Sequence, residues 1–303
     1  MMDWLWMNQT LAFCGKTELD GGEDMSFKIA IDSCGELLEE WKNDARYVSV
    51  PLTLMVDGYT IVDDETFDQA DFLRRVAESP ECPRSACPSP ESYMKAFEGN
   101  ADHLYGVTLS AELSGSYNSA MTARNMLLET EPKRKIHIFN SRSASIGETL
   151  IGMKITECEE AGMSFEKVVS TVEKYIDSQI TYFVLESLES LRKNGRLSRV
   201  KAFVATALKI KPVMQSTPEG NICQIDQARG INKALERMID HIAENTKDPR
   251  NKILAISHCN CKERASALLG KIKERLSPAK IILLDTAGVS SLYASDGGII
   301  VVV

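Results

Sequence analysis

The sequence predicts an α/β protein built from two domains, and three observations lead to this prediction. The chain has 303 residues, which is more than one domain usually contains. Up to residue 162, short apolar runs alternate with helical patterns, as is typical of a mostly parallel sheet covered on both faces. Beyond that point the order of strands and helices is mixed. We therefore expect an N-terminal extension over residues 1–25, a parallel-sheet α/β domain over 26–163 and a mixed-sheet α/β domain over 164–303.

The elements of the first half follow from local patterns. Apolar and β-branched runs predict strands at residues 27–31, 47–56, 59–62, 104–109 and 136–139. Asp57-Gly58 predicts a hairpin turn between the second and third of these strands. Helical spacing predicts helices at 67–78, from Tyr117 and from Ile146, with Gly162 ending the last one. The prolines at positions 80, 83, 88 and 90 predict a loop.

The second half begins with a helix for which Ser164 is the expected N-cap. Apolar runs predict strands at residues 181–185, 221–227, 253–258, 281–284 and 299–303. Helical spacing predicts helices at residues 200–208, 231–244 and 262–276. Gly220, in a turn with a proline, indicates the corner of a hairpin.

Polar residues follow three of the predicted strands, at Asp32-Ser33, at Ser110 to Ser116 and at Asn140-Ser141. In open parallel sheets, ligands bind outside the carboxyl ends of the strands. We therefore expect these polar loops to share one rim of the sheet and to form a binding site there.

Charge and composition exclude several classes of function. The formal net charge is −8, and an acidic chain lacks the surplus of lysine and arginine that nucleic-acid binding requires. No apolar run approaches the roughly 18–20 residues needed to cross a bilayer. The eight cysteines come without an export signal, so we expect reduced thiols and a cytoplasmic location.

The segment Ser114-Gly115-Ser116, between a strand and a helix, is the most informative one. The free N–H groups of a helix start, with serine hydroxyls beside them, suit a carboxylate or a phosphate. A plainer interpretation is that Ser114 or Ser116 caps the helix. A third is a hydrolase with Ser114 as nucleophile and His258 as base, although Glu112 stands where a nucleophile elbow needs a small residue.

Other constellations point less clearly to a site. The run His258-Cys259-Asn260-Cys261 could bind zinc only together with a distant pair such as Cys82 and Cys87. Asp63 and Asp64 would point to opposite faces of a strand, so they could not readily chelate one metal ion together. We interpret them as a polar turn. We expect no metal site. The basic stretch over residues 191–201 predicts either a solvated loop or a docking surface for an acidic or phosphate-bearing partner, with Arg196 as its central residue.

Taken in order, these segments resemble the DegV family, the fatty-acid-binding proteins of bacteria, from about Phe27 to the C-terminus. The motifs that carry the resemblance include Asp32-Ser33, Val50-Pro51-Leu52, residues 85–89, residues 113–120, Asn140-Ser141, Gly195-Arg196-Leu197-Ser198, Ile210-Lys211-Pro212 and Arg229-Gly230. The resemblance implies a Rossmann-like first domain and a mixed-sheet second domain that hold a long-chain fatty acid in a buried tunnel, without a cofactor and without chemistry of their own. It also implies, for some members, presentation of the carboxylate to a separate kinase subunit, which makes the acyl-phosphate used in phospholipid synthesis.

The resemblance also implies roles for individual residues. Ser85, Ser114, Gly115 and Ser116 match positions at or beside the fatty-acid carboxylate, whereas Arg196 and Arg229 are expected to help a partner dock. Tyr293 stands where the family often has a histidine. A phenol donates one hydrogen bond but carries no positive charge near neutral pH. The ligand could therefore also be another small carboxylate.

Overall fold

The structure, a computed structural model, describes residues 26–197 and 209–303. Its strands are β1 (Phe27–Asp32), β2 (Tyr47–Val50), β3 (Thr53–Val56), β4 (Tyr59–Val62), β5 (Arg84–Ala86), β6 (His103–Thr108), β7 (Lys135–Asn140), β8 (Thr181–Val184), β9 (Ile210–Ser216), β10 (Ile222–Arg229), β11 (Ile253–His258), β12 (Lys280–Asp285) and β13 (Ile299–Val302). Its α-helices are α1 (Gln69–Glu78), α2 (Pro90–Ala96), α3 (Ser116–Thr130), α4 (Ile146–Glu160), α5 (Phe165–Ser178), α6 (Glu189–Lys193), α7 (Ile231–Asn245), α8 (Lys262–Leu276) and α9 (Gly288–Ala294).

The first half contains a parallel sheet with the strand order β2-β1-β6-β7. All six residues of β6 are buried, because α2 and α3 pack on one face of the sheet and α4 and α5 lie on the other. Burial on both faces explains why these strands read as continuous apolar runs. The carboxyl ends of β1, β6 and β7 are adjacent, so the predicted shared rim is confirmed.

The second half contains a mixed sheet with the strand order β10-β9-β8-β13-β11-β12. Strands β11 and β12 are parallel, and the other neighbours are antiparallel. Helices α7 and α8 cover its outer face, and α4 contacts β11 and β13 from the inner side. Helix α4 therefore lies between the two sheets, and the predicted fold class is confirmed. Because α5 packs on α4 and β7, the domain boundary at residues 163 and 164 stays a prediction.

A small antiparallel sheet with the order β4-β3-β5 corrects two predictions. The strand predicted over residues 47–56 is divided at Pro51, because proline cannot donate a ladder hydrogen bond. The proline-marked loop contains a strand and a helix, β5 and α2. Ser89 caps α2 by accepting a hydrogen bond from Ser92 N, and Pro90 occupies the first helical position, where its missing N–H costs nothing.

Three further elements were not predicted, β9, the five-residue α6 and α9. Strand β9 contains Pro212, which weakens a strand pattern. Helix α9 has seven residues and is buried almost all round, so it shows no amphipathic period. The hairpin corner at Gly220 and the cap at Ser164 are confirmed. The helix predicted over residues 200–208 lies outside the described residues. Within those residues, no helix is long and apolar enough to cross a membrane.

Candidate functional site

A cavity lies between the rim of the parallel sheet and the inner face of the mixed sheet. It contains about 730 Å³ of space between atoms, its opening to solvent included. Most of its wall is apolar, and the side chains involved come from both halves of the chain, among them Leu109, Leu113, Phe183, Leu185, Ile222 and Ile300. Such a cavity suits a ligand with a long apolar part.

Two polar side chains of the cavity wall, those of Arg196 and Tyr293, lie close together, and Tyr293 also contacts Ser85. The hydroxyl oxygens of Ser85 and Tyr293 lie 3.0 Å apart, although the two residues belong to β5 and α9. The guanidinium carbon of Arg196 lies 5.5 Å from the centre of the Tyr293 ring. Arg196 and Tyr293 both line the cavity. Burial raises the pKa of the Tyr293 phenol, which therefore stays a neutral hydrogen-bond donor.

Arg196 is held in place by the loop that precedes α3. Its Nε donates to the carbonyl oxygen of Leu113 at 3.1 Å, and another guanidinium nitrogen donates to that of Asn194 at 2.7 Å. Arg196 was expected to be a docking residue, yet it also lies at the cavity wall. Arg229 is exposed at the end of β10, roughly 20 Å along the strand from the cavity-lining Ile222. The two arginines therefore occupy different surfaces.

The predicted serine segment forms the start of α3. Ser114 Oγ donates to Ser116 Oγ at 3.2 Å and accepts from Ser116 N at the same distance. Ser116 is completely buried, so its direct contact with a ligand stays a prediction. Gly115 is the N-cap, and a Cβ there would lie 2.9 Å from Cys87 Sγ. A larger residue at this position would require the exposed Cys87 side chain to shift.

The structure does not assemble a hydrolase from Ser114 and His258. Nδ1 of His258 lies 3.2 Å from an oxygen of Asp285, and the His258 side chain is only 2% exposed. Burial lowers the pKa of this histidine. Among the described residues, no contact joins it to Ser114, whose partner is Ser116. The hydrolase interpretation therefore lacks its base.

The structure also revises the predictions for possible metal ligands. Cys82 lies beside Asn194 and Cys261 beside Gly298, so the imagined zinc cluster is not formed. Asp63 is not part of a solvated turn. Its carboxylate is buried and accepts hydrogen bonds from Gly288 N and Val289 N, at 2.7 and 2.8 Å. No local pattern signals this role, because Asp63 and Gly288 are 225 positions apart.

Several cavity residues lie in rim loops whose polar character was noticed without individual roles. Cys34 follows β1, and Ser143 and Ser145 follow β7; all three line the cavity. Their positions after parallel strands are the signal that could have identified them. The contribution of β8, with Phe183, carried no such signal, because apolar residues of a buried strand look alike in sequence.

Comparisons with known proteins agree with this arrangement. A family profile described as uncharacterised proteins of the DegV family matches residues 26–303. A DegV domain-containing protein of Streptococcus pneumoniae is 34% identical over 278 residues, which cover 91% of this chain and 98% of that protein.

Two solved structures are similar over nearly their whole length. A DegV-family protein of Ruminococcus gnavus, refined with vaccenic acid, has a TM-score of 0.90 and 51% identity, and the match covers 92% of this chain and 100% of that one. The fatty acid kinase B3 protein of Streptococcus pneumoniae, loaded with linoleic acid, has a TM-score of 0.84 and 33% identity, with 92% and 99% covered.

Proposed function

The chain belongs to the DegV family, and from this premise we propose that it binds a long-chain fatty acid in the cavity between its two sheets. The observation that carries the proposal is a mostly apolar cavity whose wall includes the guanidinium of Arg196 beside the hydroxyl-bearing Tyr293, which Ser85 contacts. An unbranched acyl chain with a terminal carboxylate has the matching distribution of polarity. The similar proteins refined with vaccenic and linoleic acid support the same ligand class.

The tail supplies most of the binding free energy in this proposal. Transfer of a methylene group out of water contributes about 0.8 kcal/mol, so an acyl chain of sixteen or eighteen carbons gains far more from its tail than from any one hydrogen bond. The side chains at the end of the cavity then determine which way the ligand lies. This division suits a carrier that must hold its ligand tightly and still expose the reactive group.

The head group is placed at the end of the cavity where Ser85, Tyr293 and Arg196 meet. The two hydroxyls donate hydrogen bonds to the carboxylate, and Arg196 supplies the positive charge that Tyr293 lacks. Ser114 and the N–H groups near Gly115 border the same region, because Leu113 of their loop contacts Arg196. All five residues therefore serve binding, and none is assigned a catalytic role.

We further propose that the bound carboxylate is presented to a separate kinase subunit, which forms the acyl-phosphate for phospholipid synthesis. In this arrangement, Arg196 and the exposed Arg229 contribute to docking. The similar fatty acid kinase B3 protein supports this partnership. A cytoplasmic location is proposed as well, and the seven cysteines of the described residues, which are all free thiols, are consistent with it.

Organic extraction of the purified protein, followed by mass spectrometry, tests the binding proposal. We expect about one long-chain fatty acid per chain, because a buried apolar ligand dissociates slowly. An extract that stays empty after incubation with mixed fatty acids would refute the proposal. Recovery of a short carboxylic acid instead would identify the alternative ligand class that the replacement of histidine by Tyr293 left open.

A further inference from the structure

A cluster of acidic groups lies beneath the rim, beside the cavity. It consists of Asp32 at the end of β1, Cys34 in the loop that follows, and Glu148 in the first turn of α4. All three side chains are buried, and one ligand atom of each lies within 4.8 Å of those of the other two. A Cβ at Gly35 would lie 2.9 Å from Glu148 Cβ, so glycine permits this close approach.

The cluster lacks a positive partner. In the described parts of the chain, no lysine, arginine or histidine forms an ion pair with Asp32 or Glu148. Both carboxylate oxygens of Glu148 are buried without a hydrogen-bond partner, as is one oxygen of the neighbouring Glu36. Buried carboxylates are stable only when a cation or a proton neutralises them.

The chemistry of the donor atoms favours a particular cation. One thiolate with two carboxylates is a donor set that zinc accepts, whereas calcium and magnesium bind oxygen donors and disfavour sulfur. We propose that Asp32, Cys34 and Glu148 bind a zinc ion, with a fourth position left for water. This proposal is independent of the fatty-acid ligand.

Surrounding hydrogen bonds already orient two of the three ligands. Asp32 accepts from Leu109 N at 2.9 Å and from Cys34 N at 3.1 Å, through different oxygens. Cys34 Sγ accepts from Ser145 N at 3.4 Å, a contact that orients the sulfur. The carboxylate oxygens of Asp32 and the sulfur of Cys34 each retain a lone pair for a metal. Cys34 also lines the cavity, which gives an ion a route from solvent.

The ion would connect the end of β1 to helix α4. Because α4 packs against both sheets, a link at its first turn holds the two halves together beside the cavity. We therefore expect zinc to stabilise the fold and to leave the head-group end of the cavity unchanged.

Metal analysis of the full chain tests this site. Protein purified without a metal-affinity tag, stripped with a chelator and reloaded with zinc should contain about one zinc ion per chain by elemental mass spectrometry. Saturating zinc should raise the melting temperature by about 5 °C. Cys34→Ala and Glu148→Gln should each lose both effects, provided that circular dichroism shows them folded.

Two matched variants separate this site from unspecific binding. Cys158→Ala removes another buried thiol, and Glu157→Gln an exposed carboxylate of the same helix. Both should keep the zinc. Less than about a tenth of an ion per reloaded chain, without a change in melting temperature, would overturn the proposal and show that protons neutralise the cluster. Zinc retained by both Cys34→Ala and Glu148→Gln would overturn it as well, because the ion would then be bound elsewhere.

Discussion

At the residue scale, two hydroxyls and one guanidinium define the polar end of the cavity. Ser85 and Tyr293 are joined by a hydrogen-bond distance of 3.0 Å, and Arg196 lies over the Tyr293 ring. A tyrosine buried in this way donates a hydrogen bond but cannot accept a proton to become a cation. In our proposal, the positive charge beside the carboxylate is therefore that of Arg196, whereas Arg142, which also lines the cavity, is paired with Asp177.

Two replacements of Tyr293 test the hydrogen bond that it donates and the positive charge that it lacks. Tyr293→Phe should weaken fatty-acid binding about tenfold or more, the cost of one hydrogen bond to a charged carboxylate. Tyr293→His should bind more tightly below pH 6.5 than above it, because the imidazolium then adds a charge. Displacement of a fluorescent fatty acid from delipidated protein measures both effects. As a control, Tyr182→Phe removes a buried hydroxyl that has no hydrogen-bond partner and should leave the affinity unchanged. Equal affinities for wild type and Tyr293→Phe would remove Tyr293 from the head-group site.

At the element scale, the unpredicted helix α9 and a hairpin, of which the corner and β10 were predicted, complete the cavity. Helix α9 contributes Val289, Ser290 and Tyr293, and the hairpin of β9 and β10 contributes Gly220 and Ile222. Both are held by contacts with distant segments of the chain. Ser110 Oγ donates to the Gly220 carbonyl at 2.8 Å, and Asp63 accepts from the first two N–H groups of α9. The cavity therefore depends on contacts between elements that are far apart in the chain.

The hairpin corner should tolerate no side chain. Gly220 has φ +90°, and a Cβ there would lie 2.3 Å from Ser110 Oγ and 2.8 Å from the Arg142 backbone. Gly220→Ala should lower the free energy of unfolding by about 3 kcal/mol. Gly162→Ala is the matched control, since it has φ +70° with no atom within 4 Å, and should cost about 1 kcal/mol. Urea denaturation measures both losses. Similar values would mean that the steric contact with Ser110 and Arg142 costs nothing beyond the strain of a positive φ.

The Asp63 carboxylate, which accepts hydrogen bonds from the first N–H groups of α9, should make the free energy of unfolding depend on pH. Burial, the largest influence, raises the pKa of Asp63 to about 6, so the folded protein binds this proton more tightly than the unfolded chain does. The contribution of Asp63 to the free energy of unfolding must then fall as the pH rises from about 4 to about 6. Asp63→Asn does not titrate. Its stability relative to wild type should therefore increase across this window, by about 2–3 kcal/mol.

Urea denaturation of both proteins between pH 4 and pH 7 checks this expectation, and a neighbouring carboxylate supplies the control. A hydrogen bond from Thr66 lowers the pKa of Asp64, which is mostly solvated. Asp64 therefore stabilises the fold above its unfolded pKa and loses this effect as the pH falls. Asp64→Asn should show a small slope of opposite sign. A pH-independent difference for Asp63→Asn would contradict the assignment.

At the scale of the whole molecule, the cavity lies where two sheets share helix α4. Side chains from both sheets and from the rim loops line it, so an apolar ligand would contact both halves of the chain at once. A ligand that binds only the folded state stabilises it, and the stabilisation grows with the logarithm of the ligand's affinity. Each added methylene group that is buried contributes about 0.8 kcal/mol to the free energy of binding.

Saturated fatty acids of increasing length should therefore raise the melting temperature of delipidated protein step by step. We expect the increase to stop when the chain fills the cavity, because further methylene groups stay in water. Differential scanning fluorimetry with acids of eight to twenty carbons measures this series. The matching alcohols, which lack the carboxylate, should show the same dependence on length at lower affinity. A melting temperature that is independent of chain length would argue against burial of the tail.

Much of the fold could be predicted from local patterns. Strand β11 and helix α8 have the predicted bounds, because their apolar spacing is continuous and both elements are long enough to show it. Gly220 and Ser164 were recognised because a turn and a helix cap impose requirements on single residues. Short elements were missed, since β5 has three residues and α9 has seven. Too few residues are then available to establish a period.

The sequence by itself determined the fold class, the family and the rim loops, because alternating strands and helices, motif order and strand ends are all properties of neighbouring residues. Only the tertiary structure decided which residues meet. Ser85 and Tyr293 are 208 positions apart, and the resemblance named both without implying that their hydroxyls touch. Asp63 was expected in a solvated turn and instead caps a buried helix. Such contacts depend on how sheets and helices pack, and side-chain patterns along the chain do not record the packing of distant segments.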